Sequence, residues 1–335
     1  MFVARVIGLP FHQMWQTGRL FGLLAYAVIG YFAIRRLKSG KVILAGTLLI
    51  PECVFLASNY SYDPGVTVLL ALGLSYCFAE WQEPGKKLTL FNACVILISL
   101  FLGSWTKGVY FPVLLIPMCL PKDKFRSRAW RRGFLIAASL ILLYLIYDVA
   151  SPFLGSSATS YTDTRGSDSD AGLQIQYILA DPVRYTGVLL QSLWTVIGPE
   201  SANGLLTHFG YLGLMPNYYL YLILLAVITF TDKSAADTEL SRRVGTRGFF
   251  QLLLFGIVCL IGTSMYVVYT PVGADGIAGF QCRYILPVLY PAMKLMGSGR
   301  IRNDMNPSLY NGIMFAAIGY VNFVAVLYGV MYTYY

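Results

Sequence analysis

Four short polar clusters interrupt a chain that is otherwise strongly apolar, and each holds residue types suited to acid–base work or to gripping an anion. Asp63, in Ser58-Asn-Tyr-Ser-Tyr-Asp-Pro-Gly65, can accept a proton from a hydroxyl, or can cap the helix that Pro64 starts. Lys107, in Ser104-Trp-Thr-Lys-Gly-Val-Tyr-Phe-Pro112, is an isolated cation that can hold a phosphate or simply snorkel to water. The third cluster is Asp170-Ala-Gly-Leu-Gln174-Ile-Gln-Tyr177, followed by Asp181-Pro182-Val-Arg184-Tyr185. Helical spacing sets Gln174 and Tyr177 on one side, with Asp170 a turn earlier. The fourth, Gly279-Phe-Gln281-Cys-Arg283-Tyr284, joins a guanidinium to an amide and a phenol. That set suits bidentate recognition of phosphate or carboxylate, and equally an interfacial tyrosine belt with a solvated arginine.

Glu52 differs from these because it follows Pro51 inside an apolar stretch, where a lone carboxylate is costly. Such a group is protonated or hydrogen-bonded inside the protein; in a carrier it would be the coupling acid, although no second intramembrane acid is positioned to make a relay. His12 and His208 are far apart and show no metal-ligand spacing, and there is no nucleophile elbow or nucleotide fingerprint. The residues demand no cofactor; a divalent metal is compatible with the acids present, without a defined ligand set.

The elements that must position these groups are membrane helices. Of 335 residues 57% are hydrophobic and 12% charged, and mean hydropathy is +0.62, so lipid rather than water is the main solvent. Apolar runs predict an all-α integral membrane protein of about ten transmembrane helices, as a single transmembrane domain. The runs are Leu20–Ile34, Val42–Ala57, Val66–Trp81, Leu88–Leu102, Val109–Leu120, Gly133–Val149, Asn217–Thr231, Phe249–Thr270, Tyr284–Leu295 and Asn311–Tyr332. Val109–Leu120 and Tyr284–Leu295 are short, and are read either as spans extending into their flanks or as buried half-helices.

Nineteen of the 25 Lys and Arg residues fall on one set of alternate loops. The positive-inside bias then places those loops in the cytoplasm and both termini outside it, so the net charge of +9 reports topology and not nucleic-acid binding. Residues 151–216 form one long extracytoplasmic segment, polar at Gly155–Gly172 and apolar-periodic from Leu173 to Ile197. The periodic part predicts amphipathic helices in the interface, broken at Asp181-Pro182.

The order of the clusters along most of the chain resembles a family of bacterial membrane proteins, the domain-of-unknown-function family DUF2142, grouped with the GT-C glycosyltransferases. The residues carrying the likeness are Ser61-Tyr62-Asp63, Thr106-Lys107-Gly-Val-Tyr110, Asp170…Gln174…Asp181-Pro182 and Gly279-Phe-Gln281-Cys-Arg283-Tyr284-Ile-Leu-Pro287. The resemblance implies a multi-pass enzyme of the bacterial cytoplasmic membrane that takes a sugar from a polyprenyl-phosphate donor and passes it, with inversion, to a cell-envelope glycan acceptor. It implies Asp63 and Asp170 as catalytic carboxylates, and Lys107, Gln174, Arg184, Gln281, Arg283 and Tyr284 as the groups binding substrate or lipid phosphate. In GT-C proteins the principal acid usually lies in the first outer loop. This sequence opens at Phe2-Val-Ala-Arg-Val-Ile-Gly-Leu-Pro-Phe-His12, similar to the stretch after that loop, so the first span and its acid are expected to be missing.

Three readings follow: the glycosyltransferase; a transporter or flippase of lipid-linked glycan working through Glu52; and a non-catalytic membrane subunit. The first expects Asp63, Lys107, Gln174 and Arg283 to converge on one outer cavity.

Overall fold

A computed structural model describes residues 10–154, 169–198, 218–232, 243–296 and 303–331, with Arg5, Gly8, Asp237 and Leu240 besides. Most of the polar stretch at 155–172, together with Asp163, Arg165, Asp168, Glu200 and His208, lies outside the described residues. The described chain is helical. It runs α1 (Phe11–Arg36), α2 (Lys41–Leu48), α3 (Pro51–Ala57), α4 (Asp63–Gln82) and α5 (Leu90–Trp105). A 3-10 turn at Gly108–Leu114 leads into α6 (Leu115–Met118), then α7 (Arg128–Leu154), α8 (Ala171–Ala180), α9 (Pro182–Ile197) and α10 (Tyr218–Thr231). After these come α11 (Val244–Tyr269), a 3-10 turn at Cys282–Tyr284, α12 (Leu286–Met296) and α13 (Pro307–Val326). Each of the ten apolar runs is helical over most of its described residues, and α1, α4, α7, α11 and α13 are each long and apolar enough to cross a membrane.

The other runs are shorter, and proline explains three of them. The Val42–Ala57 run is broken at Pro51 into α2 and α3. Backbone carbonyls freed by that break find side chains: Tyr221 donates to Gly46 O at 2.7 Å, Tyr26 to Leu48 O at 2.8 Å and Asn322 to Leu49 O at 2.9 Å. The Val109–Leu120 run, carrying Pro112 and Pro117, is a buried half-helix, with Val113, Leu114 and Ile116 sealed from solvent. Tyr284–Leu295 becomes a 3-10 turn and the short, largely buried α12, which holds Pro287 and Pro291. The predicted break at Asp181-Pro182 separates α8 from α9.

Helix α4 is the buried centre, packed between α1 and α5 and against α12. Two glycines set its approach to α5. A methyl group on Gly73 would lie 2.7 Å from Leu100 Cγ, and one on Gly103 would lie 3.0 Å from the Leu70 side chain and 3.1 Å from its backbone nitrogen. Leu100 and Leu70 are fully buried in return, a small-against-large exchange that lets two apolar helices touch along their backbones.

The two ends of α4 are polar. At its C-terminal end Glu80 accepts from Arg36, Lys124 and Asn92 at 2.8–2.9 Å, while Arg36 also pairs with Glu83 at 2.9 Å. Lys124 is fully enclosed and donates further to Glu83 O and Lys86 O. Beside this knot Lys294 pairs with Asp237 at 2.7 Å, and Gln82 bridges Asp237 and Ser39. Asp232 caps α2 through the Val42 and Ile43 amides at 2.6 and 2.8 Å.

Candidate functional site

The N-terminal end of α4 carries the site. Asp63 is the first residue of α4, and its side chain does not cap the helix backbone. The chain turns into α4 through Ser61, whose hydroxyl accepts the Asp63 N–H at 3.2 Å. This leaves the carboxylate free to face two cations brought from elsewhere. The Lys107 ammonium donates to Asp63 Oδ1, and the Arg283 guanidinium lies 3.7 Å from Oδ2. All three are largely buried, with 9% of the Asp63 side chain exposed, 14% of Lys107 and 22% of Arg283. The capping and snorkelling readings of Asp63 and Lys107 therefore give way to a buried charge triad.

Aromatic rings shape the triad. Lys107 Nζ sits 4.0 Å from the centre of the Tyr284 ring and 5.1 Å from that of Tyr62, and Arg283 lies 5.3 Å from the Tyr284 ring. The wholly buried Tyr110 donates its hydroxyl to Tyr284 O at 2.6 Å, tying the turn after α5 to the turn before α12. Behind Arg283, buried Glu52 of α3 accepts from Cys282 Sγ at 3.2 Å, so α3 fixes the same turn from the other side. Burial pulls the Lys107 ammonium below its ordinary pKa; Asp63 opposes this by attraction and Arg283 adds to it by repulsion. An anion entering beside both cations would relieve that strain.

Two cavities meet at the triad. The larger, about 490 Å3, has Lys107, Gln281, Arg283 and Tyr284 on one wall and Val149, Ile261, Met265 and Val268 on another. It can therefore take a molecule with an anionic head and an apolar tail. The smaller, about 220 Å3, is lined by Asn59, Ser61, Asp63 and Arg283. Asp63 lines the smaller cavity, which Phe55, Leu56, Tyr60 and Tyr62 also wall, while its two cations line the larger, half-apolar one.

The structure brings Asp63, Lys107, Gln281, Arg283 and Tyr284 together, while Asp170, Gln174 and Arg184 stand apart from the larger cavity. Asp170 caps α8 by accepting the Leu173 N–H at 2.9 Å. Gln174, fully buried, accepts the Gly273 N–H at 3.0 Å, and Tyr177 on the same face packs against Gly273. Arg184 pairs with Asp275 at 2.9 Å on the surface. Gln174, Tyr177 and Arg184 fasten α8 and α9 to the loop at 271–276, which leads through Gly279 to Arg283. Gly279 has φ +69°, and a methyl group there would lie 2.7 Å from the Tyr269 ring, so the approach to the Arg283 turn needs glycine.

Asp148 counts in the sequence as one more outer acid without a site role, yet its exposed carboxyl lines the larger cavity from α7. Its signal was an acid near the C-terminal end of a long apolar helix, where the helix dipole disfavours negative charge.

A family model described as "Predicted membrane protein (DUF2142)" matches residues 1–291. No curated protein and no solved structure matches the chain.

Proposed function

The chain belongs to the DUF2142 family of predicted membrane proteins, and on that premise we propose that it is a GT-C-type glycosyltransferase using a polyprenyl-phosphate-linked sugar. The observation that carries the reading is Asp63 held between Lys107 and Arg283, where a cationic, half-apolar cavity meets a smaller one of mixed lining.

In this reading the donor phosphate enters the larger cavity, beside Lys107, Arg283 and Tyr284, with its prenyl chain along Val149, Ile261 and Met265. The acceptor hydroxyl enters from the Asn59–Asp63 side. As the two cations turn toward the phosphate, the Asp63 carboxylate loses its ion pairs and becomes a better base. The acceptor oxygen attacks the anomeric carbon and its proton passes to Asp63. The bond from that carbon to the phosphate oxygen breaks, and polyprenyl phosphate leaves with the electron pair, its charge stabilised by Lys107 and Arg283. Asp148 and Gln281 line the same chamber, and in this reading they meet sugar hydroxyls. The polar residues gather on what the charge bias makes the extracytoplasmic face, where the glycan acceptor would be met.

In the middle of α4 the Leu70, Leu74, Cys77 and Phe78 side chains are buried, and the buried Thr67 and Ser75 hydroxyls are bonded back to their own helix, which favours this reading over a carrier working through Glu52. The test is Arg283→Ala in the full chain. Binding of undecaprenyl phosphate to the purified protein should weaken, and the cell-surface glycan should be lost while membrane insertion persists. Unchanged binding and unchanged glycan would sink the assignment.

A further inference from the structure

The opposite end of α4 carries a second charged hollow that the glycosyltransferase reading does not use. It is a groove of about 610 Å3 above Tyr76 and Glu80 of α4, with α1 on one side and the start of α5 on the other. Five basic side chains line it, Arg35, Arg36, Lys38, Lys86 and Lys87, against two carboxylates, Glu80 and Glu83. Both carboxylates are already answered. Glu80 is buried and saturated by Arg36, Lys124 and Asn92, and Glu83 pairs with Arg36 and Lys86 at 2.8–2.9 Å and more loosely with Lys38 at 3.6 Å, two acids against five lining cations. The groove therefore keeps a positive surplus, and Arg35, Lys38 and Lys87 are exposed at its rim. The N-terminus of the 16-residue helix α5 opens onto the same space and adds its dipole.

The remaining wall is aromatic and uncovered. Phe32 is 49% exposed and Phe91 67%, and the Tyr76 ring lies edge-on to Phe91 at 6.4 Å. Cationic lining next to exposed apolar rings, at the level where apolar helices give way to charged loops, matches the border between a lipid's phosphate and its chains.

We infer that this groove seats an anionic phospholipid, its phosphate among Arg35, Lys38 and Lys86 and its chains along Phe32 and Phe91. A zwitterionic headgroup would bring its ammonium against the same positive surplus. An anionic headgroup such as phosphatidylglycerol carries no such penalty.

The test is native mass spectrometry of the full chain in detergent, titrated with dioleoyl-phosphatidylglycerol or with dioleoyl-phosphatidylcholine. The wild type should retain phosphatidylglycerol preferentially. The variant Arg35→Gln/Lys38→Gln/Lys86→Gln should lose that preference by about a hundredfold in affinity, at roughly one surface charge's worth per residue. A charge-matched control at exposed positions outside the groove, Arg126→Gln/Arg128→Gln/Arg132→Gln, should keep it. Should the triple variant fail to fold, Arg35→Gln alone, which leaves the Glu80 and Glu83 pairs intact, should cost about fivefold. Groove variants that bind phosphatidylglycerol as the wild type does would overturn the proposal. So would an equal loss in the control, which would mean diffuse surface charge, or displacement of the lipid by millimolar inorganic phosphate, which would mean a free-anion site.

Discussion

Asp63 and Lys107 stand 44 residues apart and share a hydrogen bond where α4 begins and α5 has just ended. The contact is possible because α4 and α5 are antiparallel neighbours in close touch, so the turn after α5 returns to the start of α4. Arg283 reaches the same carboxylate from more than two hundred residues further on. A carboxylate with two cations, buried against aromatic rings, is stable only while its charges are answered. That makes the triad sensitive both to its own members and to any anion that competes for them.

Replacing Asp63 separates binding from chemistry. In Asp63→Asn the shape is kept, but Lys107 and Arg283 lose their internal counter-charge and turn fully to an incoming phosphate. Undecaprenyl phosphate should bind as tightly as to the wild type, or tighter, while glycan transfer falls by at least about a hundredfold, the usual contribution of a positioned base. Equilibrium binding and glycan analysis on one preparation read the two effects. Weakened binding with transfer intact would show that Asp63 is not the base.

Lys107 should show the reverse dependence on stability. Lys107→Met leaves the Asp63 carboxylate buried, with the Arg283 guanidinium 3.7 Å away and the Ser61 hydroxyl 3.3 Å away as partners but without its closer cation. Losing one partner of a buried pair costs about 2–4 kcal/mol. Thermal unfolding in detergent should register that loss, and undecaprenyl phosphate binding should weaken alongside it. Lys107→Arg should recover most of the stability. Equal melting temperatures for wild type and Lys107→Met would contradict the buried triad.

The polar residues of the triad could be read in the sequence because each interrupts an apolar stretch at a helix end, where polarity is conspicuous. The helix breaks at Pro51 and Asp181-Pro182 were legible for a local reason, the geometry of proline. Docking was not legible. The spacing of Asp170, Gln174 and Tyr177 foretells α8 and its working face, yet that face meets Gly273 and not the cavity, a relation set by packing across about a hundred residues. The Glu80 knot escaped for a different reason. Lys124 in a basic loop and Lys294 at the end of the Tyr284–Leu295 run both count toward a charge bias as though solvated, while the structure buries both against acids from distant segments. A local pattern marks where charge lies but not whether its partner folds back onto it.

Glycine at the α4–α5 contact should be indispensable, while glycine with open space around it should not. Gly103→Ala sets a methyl group 3.1 Å from the Leu70 backbone nitrogen, which cannot yield without moving α4. A destabilisation of about 1–3 kcal/mol follows. Gly256 lies mid-helix in α11 with open space around it, so Gly256→Ala should be neutral or stabilise by about 0.5–1 kcal/mol. Comparing the two melting temperatures checks the packing directly, and a Gly103→Ala protein as stable as Gly256→Ala would contradict it.

Acid should loosen the opposite end of the molecule through Glu83, which lies just beyond the end of α4. Burial would raise its pKa, but hydrogen bonds and attraction from Lys86 and Arg36 outweigh that and hold the carboxyl at about 2 against an ordinary 4.5. A pKa lowered on folding contributes stability that is complete above the unfolded value and is lost as pH falls through the folded one. The stability difference between wild type and Glu83→Gln should therefore be full at neutral pH, shrink from about pH 4.5 downward, and vanish near pH 2. Other acids titrate in the same window, so the difference between the two proteins is the quantity to follow. A difference that stayed constant from pH 7 to pH 2 would show that the Glu83 pairs with Arg36 and Lys86 add nothing to the fold.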